Sequence, residues 1–178
     1  MSKNIVVLSG SPRKGGSTDK LTAAFVEGAS HAGKKVTLFR VADMSIGGCR
    51  GCSFCHKKAG FCVQDDDMGG ILDLIKEADA VVFASPVYYC SVSAQLKLAI
   101  DRLFALSNAK LSVKYAALLL TCGEASTIDG AVSIYQIILP SLHCEDAGTI
   151  VASGLYGENV SIDGRDELKQ AYELGQKI

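Results

Sequence analysis

An apolar run followed by a loop of glycine and hydroxyl residues constrains the fold of this chain more than any other stretch. Residues 5–8 form the apolar run, which is typical of a buried parallel strand. The loop at 9–18 follows it, and a helical pattern of apolar residues begins at Leu21. Free N–H groups at a helix start and the helix dipole both bind anions. This segment therefore predicts a phosphate site.

The residues of this loop favour a single monophosphate. A nucleotide P-loop has lysine directly before its Ser or Thr, and Gly16 stands at that place. The dinucleotide motif also fits poorly, because Asp43 is the one candidate for its ribose-binding acid. Several hydroxyl groups and Arg13 suit one terminal phosphate. The alternative is an ordinary strand-to-helix turn built from small polar residues.

The rest of the chain alternates between strand and helix patterns. Strands are predicted at 5–8, 35–41, 79–84, 115–121 and 146–152, with helices between them and a last helix at 165–177. Such alternation predicts a parallel sheet covered on both faces, which is an α/β fold in three layers. Right-handed crossovers favour a doubly wound, five-stranded sheet of order 2-1-3-4-5. We expect a single domain over residues 1–178, with a cysteine-rich insertion at 47–64.

In such a sheet, ligands bind at the carboxyl ends of the strands, where the strand order reverses. The exits from the first, third and fourth strands converge there. The first exit is the phosphate loop, the second contains Pro86, Tyr88 and Tyr89, and the third runs over 121–124. Aromatic side chains suit stacking on a ring, and a glycine-containing exit suits hydrogen bonds to the ring edge. The three exits together predict a planar aromatic ligand with a phosphate tail, and FMN fits that description.

Composition and charge exclude several classes of function. The chain has 178 residues, of which 48% are hydrophobic and 21% charged, and its net charge is -1. Nothing in this balance favours nucleic acid or an anionic membrane as a partner. No apolar run is long enough to span a bilayer, and the N-terminus lacks a signal-peptide pattern. We therefore expect a cytoplasmic protein.

Four of the seven cysteines form a compact motif, C-x2-C-x2-C-x6-C, at Cys49, Cys52, Cys55 and Cys62. Three cysteines at this spacing can bind three corners of an iron–sulfur cube, and the fourth closes it. Zinc more often uses two separated pairs, and a dithiol that cycles with a disulfide is a third interpretation. Cys144 is expected to be a small buried residue. The carboxylates at 65–67 are interpreted as caps of the next helix rather than as a divalent metal site.

The strand exits also carry a family resemblance. The segments GSPRKGGST, SPVYYCSVSAQLK and LLLTCGE resemble the flavin-binding segments of the flavodoxin-like NADPH-dependent FMN reductases, over residues 4–139. The resemblance implies that the phosphate of FMN lies near Ser11, Arg13, Ser17 and Thr18, and that Ser9 also belongs to the cofactor-binding residues. It implies that the ring lies near Pro86, Val87, Tyr88, Tyr89, Cys122, Gly123 and Glu124. One departure is Cys90, which stands where the family commonly has glycine.

The cysteine motif resembles that of the iron–sulfur flavoproteins, a branch of the same group, which implies a [4Fe-4S] cluster on its four cysteines. The expected function is an FMN-dependent oxidoreductase that passes electrons from NAD(P)H or a reduced carrier to a small acceptor or to the cluster. The resemblance implies a homodimer or a higher homo-oligomer. The chemistry belongs to the cofactor, so no catalytic side chain is assigned. Two alternatives stay open. One is an electron carrier between proteins with a ferredoxin-like donor, and the other is a thiol- or zinc-based redox sensor.

Overall fold

The sheet of the computed structural model, which describes residues 3–157 and 160–178, has the predicted parallel order. Its parallel strands are β1 (Asn4–Ser9), β2 (Lys35–Arg40), β3 (Ala80–Tyr88), β5 (Tyr115–Thr121) and β6 (Glu145–Ala152). They lie in the order β2-β1-β3-β5-β6, and the two-residue strand β4 (Ser91–Val92) pairs antiparallel with β3. Without β4 this is the predicted order 2-1-3-4-5, so the doubly wound α/β fold is confirmed.

Helices cover both faces of this sheet. They are α1 (Ser17–His31), α2 (Phe54–Lys57), α3 (Met68–Glu77), α4 (Ala94–Arg102), α5 (Asp129–Ile138) and α6 (Asp166–Lys177). Alternate residues of β1 point to opposite faces: Val6 and Leu8 belong to the core under α3, α4 and α5, whereas Ile5 and Val7 belong to the core under α1 and α6. The central strands are therefore apolar on both sides, which explains their continuous apolar runs. Within the described ranges, no helix has the length and apolarity needed to cross a bilayer.

Strand β3 extends beyond its predicted end at 84. It continues to Tyr88, turns through Tyr89 and Cys90, and returns as β4, with Val87 opposite Val92. Pro86 does not interrupt the strand, because the antiparallel pairing with β4 begins only after it. The predicted loop is therefore a hairpin that projects from the carboxyl end of the sheet.

Candidate functional site

The loop between β1 and α1 is packed directly against the start of α4. Gly10 N–H donates to the Ala84 carbonyl at 2.9 Å, and the Ser93 hydroxyl donates to the Gly10 carbonyl at 2.7 Å. A Cβ atom on Gly10 would lie 2.5 Å from Leu96 Cβ and 2.6 Å from Ser93 Oγ. Only glycine fits at this position, so α4 sets the height of the loop above the sheet.

Arg40, at the end of β2, holds the same loop from the side. Its guanidinium donates to the Ser11 carbonyl at 3.2 Å, to Asp43 at 3.1 Å, and to Asp19. Asp19 in turn accepts from Gly15 N–H at 2.7 Å. The hydrogen bond from Arg40 is the main reason that the pKa of Asp43 is lowered. Asp43, the candidate ribose-binding acid, is therefore bound to Arg40, which in turn holds the phosphate loop.

A cavity of about 200 Å³ opens at the carboxyl edge of the sheet, where the three predicted exits meet. The predicted residues that line it are Ser11, Arg13, Ser17, Thr18, Pro86, Val87, Tyr88, Cys122 and Gly123. Three predicted residues lie elsewhere. Ser9 lines a separate cavity beside α1, and Tyr89 and Glu124 are exposed outside the site cavity. Most of the residues that the sequence assigns to one ligand thus surround one space.

The first turn of α1 has the donors that an anion needs. No side-chain hydrogen bond caps this helix at Gly16, and the hydroxyl groups of Ser11 and Ser17 border the cavity. Arg13 adds an exposed cation. The Thr18 hydroxyl is buried and lies 2.7 Å from that of Thr121, which ties the helix start to the end of β5. This donor set fits a terminal phosphate.

The hairpin wall has an unusual turn. Tyr89 and Cys90 have φ angles of 48° and 66°, which two-residue hairpin turns normally reserve for Asn-Gly. Glycine at position 90 would adopt this backbone without strain, so Cys90 occupies a position that favours glycine. Tyr89 points away from the cavity and is fully exposed, whereas Tyr88 borders it. The ring-stacking prediction therefore narrows to Pro86 and Tyr88.

A fourth wall, which sequence reasoning missed, comes from the segment after β6. Leu155 and Val160 line the cavity, and Leu155 N–H donates to the Cys122 carbonyl at 3.0 Å. Tyr156 lies over Gly123, where an added Cβ would be 3.0 Å from its ring. Neighbouring parallel strands end at the same edge of a sheet, so the position of β6 beside β5 could have indicated that the segment after β6 borders this cavity.

The four motif cysteines line a second cavity, of about 60 Å³. Cys49 and Cys52 are exposed, Cys55 and Cys62 are half-buried, and all four are free thiols. Within residues 3–157 and 160–178, no three Cys, His, Asp or Glu side chains are arranged to hold a metal ion. The thiols thus share a cavity without converging on one point. A set of four cysteines still fits the chemistry of an iron–sulfur cluster, whose ligands bind separate corners.

Asp66 and Arg102 close the base of the cysteine loop. Arg102 donates to both carboxylate oxygens of Asp66, at 2.6 and 2.9 Å, and to the Gly47 carbonyl at 2.8 Å. Asp66 also accepts from the N–H groups of Gly47 and Met68 at 3.0 and 3.2 Å. Its interpretation as a helix cap is thus incomplete, because its main partner is a buried arginine. The hydrogen bond from Arg102 is the largest influence on the Asp66 carboxyl and lowers its pKa.

Arg102 itself was not singled out by sequence reasoning. Burial acts to lower its pKa, but the hydrogen bonds to Asp66 and the nearness of Cys62 outweigh burial, so the pKa is raised. Its side chain has no solvent exposure. In the part of the chain that the structure describes, its Nε has no hydrogen-bond partner. Nothing in the sequence signals this position, since an arginine at a helix end is usually solvated.

Comparisons with known proteins identify the family of this chain. The model of a family described as NADPH-dependent FMN reductase matches residues 3–156. An iron-sulfur flavoprotein of Archaeoglobus fulgidus is 33% identical over 174 residues, which cover 97% of this chain and 77% of that protein. Another from Methanocaldococcus jannaschii is 39% identical over 98 residues, covering 55% of this chain and 50% of that protein. The match thus spans about half the length of the second relative.

Solved structures share the architecture. The NAD(P)H:quinone oxidoreductase from Methanothermobacter marburgensis superposes with a TM-score of 0.75, covering 99% of this chain and 96% of that one. The two sequences are 17% identical, so this likeness concerns the fold alone. A fold hosts many functions, so the function of this chain has to be inferred from its family and from the two cavities.

Proposed function

Because the chain belongs to the NADPH-dependent FMN reductase family, we propose that it transfers electrons from NADPH or NADH, through FMN, to a small acceptor or to an iron–sulfur cluster. A flavin oxidoreductase is the activity that the family supports. The choice of nicotinamide donor, the electron acceptor and the cluster are proposed in addition to that activity. The observation that carries it is the single cavity in which the exits of β1, β3 and β5 meet.

Each wall of this cavity has a separate task in binding FMN, which supplies the hydride-accepting ring. Ser11, Ser17 and the first N–H groups of α1 bind the phosphate, and Arg13 balances its charge. The cavity is smaller than the roughly 300–1,000 Å³ of most ligand sites, so the ring must extend past Tyr88. Cys122 N–H already donates to Ala152 at 2.9 Å. At that exit, Gly123 N–H is therefore the donor assigned to the ring edge.

The cysteine cavity supports a second candidate, an electron carrier between proteins. Helix α4 joins the two cavities: Ser93, at its start, contacts the phosphate loop, and Arg102, at its end, lines the cysteine cavity. The nine residues of α4 span roughly 14 Å at the rise of an α-helix. An iron–sulfur cluster on the four cysteines supplies one-electron chemistry. A carrier of this kind would accept electrons from a ferredoxin-like protein and need no small substrate.

We also propose a cellular location and an oligomeric state. We place the protein in the cytoplasm, because seven free thiols suit a reducing compartment. We also propose a homodimer, as the family resemblance implies, because FMN larger than its cavity leaves an open ring face that a second copy can cover. Chromatography with light scattering tests the second point, and a mass of one chain would contradict it.

Rapid mixing under anaerobic conditions tests the proposed activity. The FMN-loaded protein is mixed with NADPH or NADH, and the loss of the flavin absorption band is followed. Bleaching by either nucleotide supports the reductase. Bleaching only by a reduced ferredoxin supports the carrier instead. If dithionite alone bleaches the band, both candidates fail. If no FMN binds at all, the thiol- or zinc-based redox sensor takes their place.

A further inference from the structure

A buried arginine at the cysteine cavity has an unused hydrogen-bond donor. Arg102 lines this cavity together with the four cysteines, and its side chain is fully buried. Its terminal nitrogens donate to Asp66 and to the Gly47 carbonyl. Its Nε has no hydrogen-bond partner among the described residues. A buried donor without an acceptor has lost its hydration without compensation, so this edge of the guanidinium suits an acceptor that a ligand would bring.

The charge at this cavity is also one-sided. Arg102 lines the cavity and Asp66 does not, so the positive end of the buried pair faces the cysteines. Asp101 lines the cavity too, but its carboxylate pairs with Lys97 at 2.6 Å. Arg50 is exposed, and water screens its charge. Arg102 is also paired, but its guanidinium borders the cavity and the Asp66 carboxylate does not, so this wall presents N–H donors and positive charge that suit an anionic acceptor.

We propose that Arg102 is a positioning residue for an anionic metal–thiolate group on Cys49, Cys52, Cys55 and Cys62, with its Nε–H donating to sulfur. The inference rests on the cluster part of the proposed function and deepens it. Four thiolates outweigh the positive charge of an iron–sulfur core, and reduction makes the group still more negative. Hydrogen bonds to sulfur and local charge both tune such centres. Arg102 then favours binding of the cluster and favours its reduced form.

Three variants and the parent protein test this assignment. Arg102→Gln removes the buried charge and the Nε donor, and Asp66→Asn leaves the buried cation without its counter-charge. Arg50→Gln is the matched control, because it removes the same charge from an exposed position on the same cavity. Each protein is reconstituted without oxygen with iron and sulfide. Iron per chain, FMN per chain and the reduced fraction of the cluster at one fixed potential are then measured.

We expect opposite effects from the two members of the buried pair. Arg102→Gln lowers the ratio of reduced to oxidised cluster at least tenfold, which is a shift of about 59 mV for a one-electron couple. Asp66→Asn raises that ratio, and Arg50→Gln leaves it within about twofold, as expected for a screened charge. General damage to the loop would move both buried variants in the same direction. FMN content reports whether the rest of the molecule is folded.

Several results would overturn the assignment. An FMN-loaded Arg102→Gln protein with the iron content and reduced fraction of the parent would do so, as would equal effects of the two arginine variants. If Arg102→Gln does not fold, the double variant Asp66→Asn with Arg102→Met replaces it, since uncharged substitutes for a buried pair are often tolerated. It must show a lower ratio than Asp66→Asn alone, because both proteins lack the carboxylate and only the double variant lacks the arginine. A parent protein that binds FMN but no iron would instead refute the cluster itself, and Arg102 with it.

Discussion

The two cavities of this protein are built on different kinds of support. The cavity proposed for FMN stands on strand ends and a helix start, and its loop is fixed by Gly10, Ser93 and Arg40. The cysteine cavity stands on a long connection without strands, held at its base by Asp66 and Arg102. The walls of the first belong to regular secondary structure or are hydrogen-bonded to it. In the second, the four cysteine thiols line one cavity, but among the residues that the structure describes no three metal-binding side chains are close enough to hold one ion.

This difference predicts how much of the binding free energy of each ligand is used to order its site. A site on a rigid sheet edge is preorganised, so a ligand loses little by ordering it. Ligands on a connection must be gathered, and part of the binding free energy of a cluster is then spent on ordering the loop. We expect FMN binding to survive damage to the loop, and cluster binding to depend on both the cysteines and the buried ion pair.

The largest expected effect is on the base of the cysteine loop. Asp66→Ala leaves Arg102 buried without its counter-charge, and we expect the free energy of unfolding to fall by about 3–5 kcal/mol. Urea denaturation followed by circular dichroism measures it. The exposed neighbour Asp65 provides the control, because Asp65→Ala should change stability by no more than about 0.5 kcal/mol. Equal midpoints for the two variants would show that the buried pair does not hold the loop.

The next largest effect is expected at the loop between β1 and α1. Gly10→Ala forces a Cβ against Leu96 and Ser93, and we expect a loss of about 1–3 kcal/mol in stability together with at least tenfold weaker FMN binding. Fluorescence titration with FMN measures the affinity. Gly70→Ala is the control, since nothing lies within 4 Å of its added Cβ and alanine favours a helix by about 0.5–1 kcal/mol. Unchanged FMN affinity in Gly10→Ala would mean that this contact does not set the loop.

A smaller effect concerns the hydroxyl pair between α1 and β5. Thr121→Val removes the partner of the buried Thr18 hydroxyl, and we expect about 1 kcal/mol less stability and about fivefold weaker FMN binding. Thr127→Val is a suitable control, because that hydroxyl lies at an exposed position and donates to the Glu124 carbonyl. The same FMN titration compares them. If both variants bind FMN alike, the pair is irrelevant to the site.

The smallest effect is the pH dependence of the loop base. The pKa of Asp66 is lowered in the folded protein, so its contribution is complete above the unfolded value and is lost as pH falls through the folded value. Stability should therefore decline below about pH 4 more steeply in the parent protein than in Asp66→Asn. Urea midpoints measured at several acidic pH values test this. Parallel declines would show that Asp66 is not responsible.

Sequence periodicity predicted the sheet order correctly, because buried parallel strands leave unbroken apolar runs. A local signal also marks the start of α4, because Ser93 Oγ accepts from Leu96 N–H at 3.2 Å, as serine does at a helix N-cap. The extension of β3 was missed because Pro86 normally ends a strand. The spacing of apolar residues over 71–78 favours Leu74 on the buried side of α3, yet it is 46% exposed. Local patterns thus indicate the elements better than their ends or their exact faces.

The residues of the two candidate sites also differ in how far the sequence predicts them. The convergence of three strand exits was predictable from topology alone, and most of the proposed FMN residues do surround one cavity. Arg102 and Asp66 were not predictable as a pair, because they lie 36 residues apart and each has an ordinary local explanation. Leu155 and Val160 carry no polar motif. Contacts between residues distant in sequence require the folded structure to be seen.

One measurement tests the central claim most directly: the absorption spectrum of protein purified without oxygen, with FMN, iron, sulfide and zinc assayed on the same sample. We predict flavin bands over a broad iron–sulfur shoulder, with equimolar FMN and about four irons per chain. Flavin bands without iron would contradict the cluster and leave an FMN reductase with free thiols. A sample that binds no FMN even after its addition would contradict the assignment of the cavity at the sheet edge.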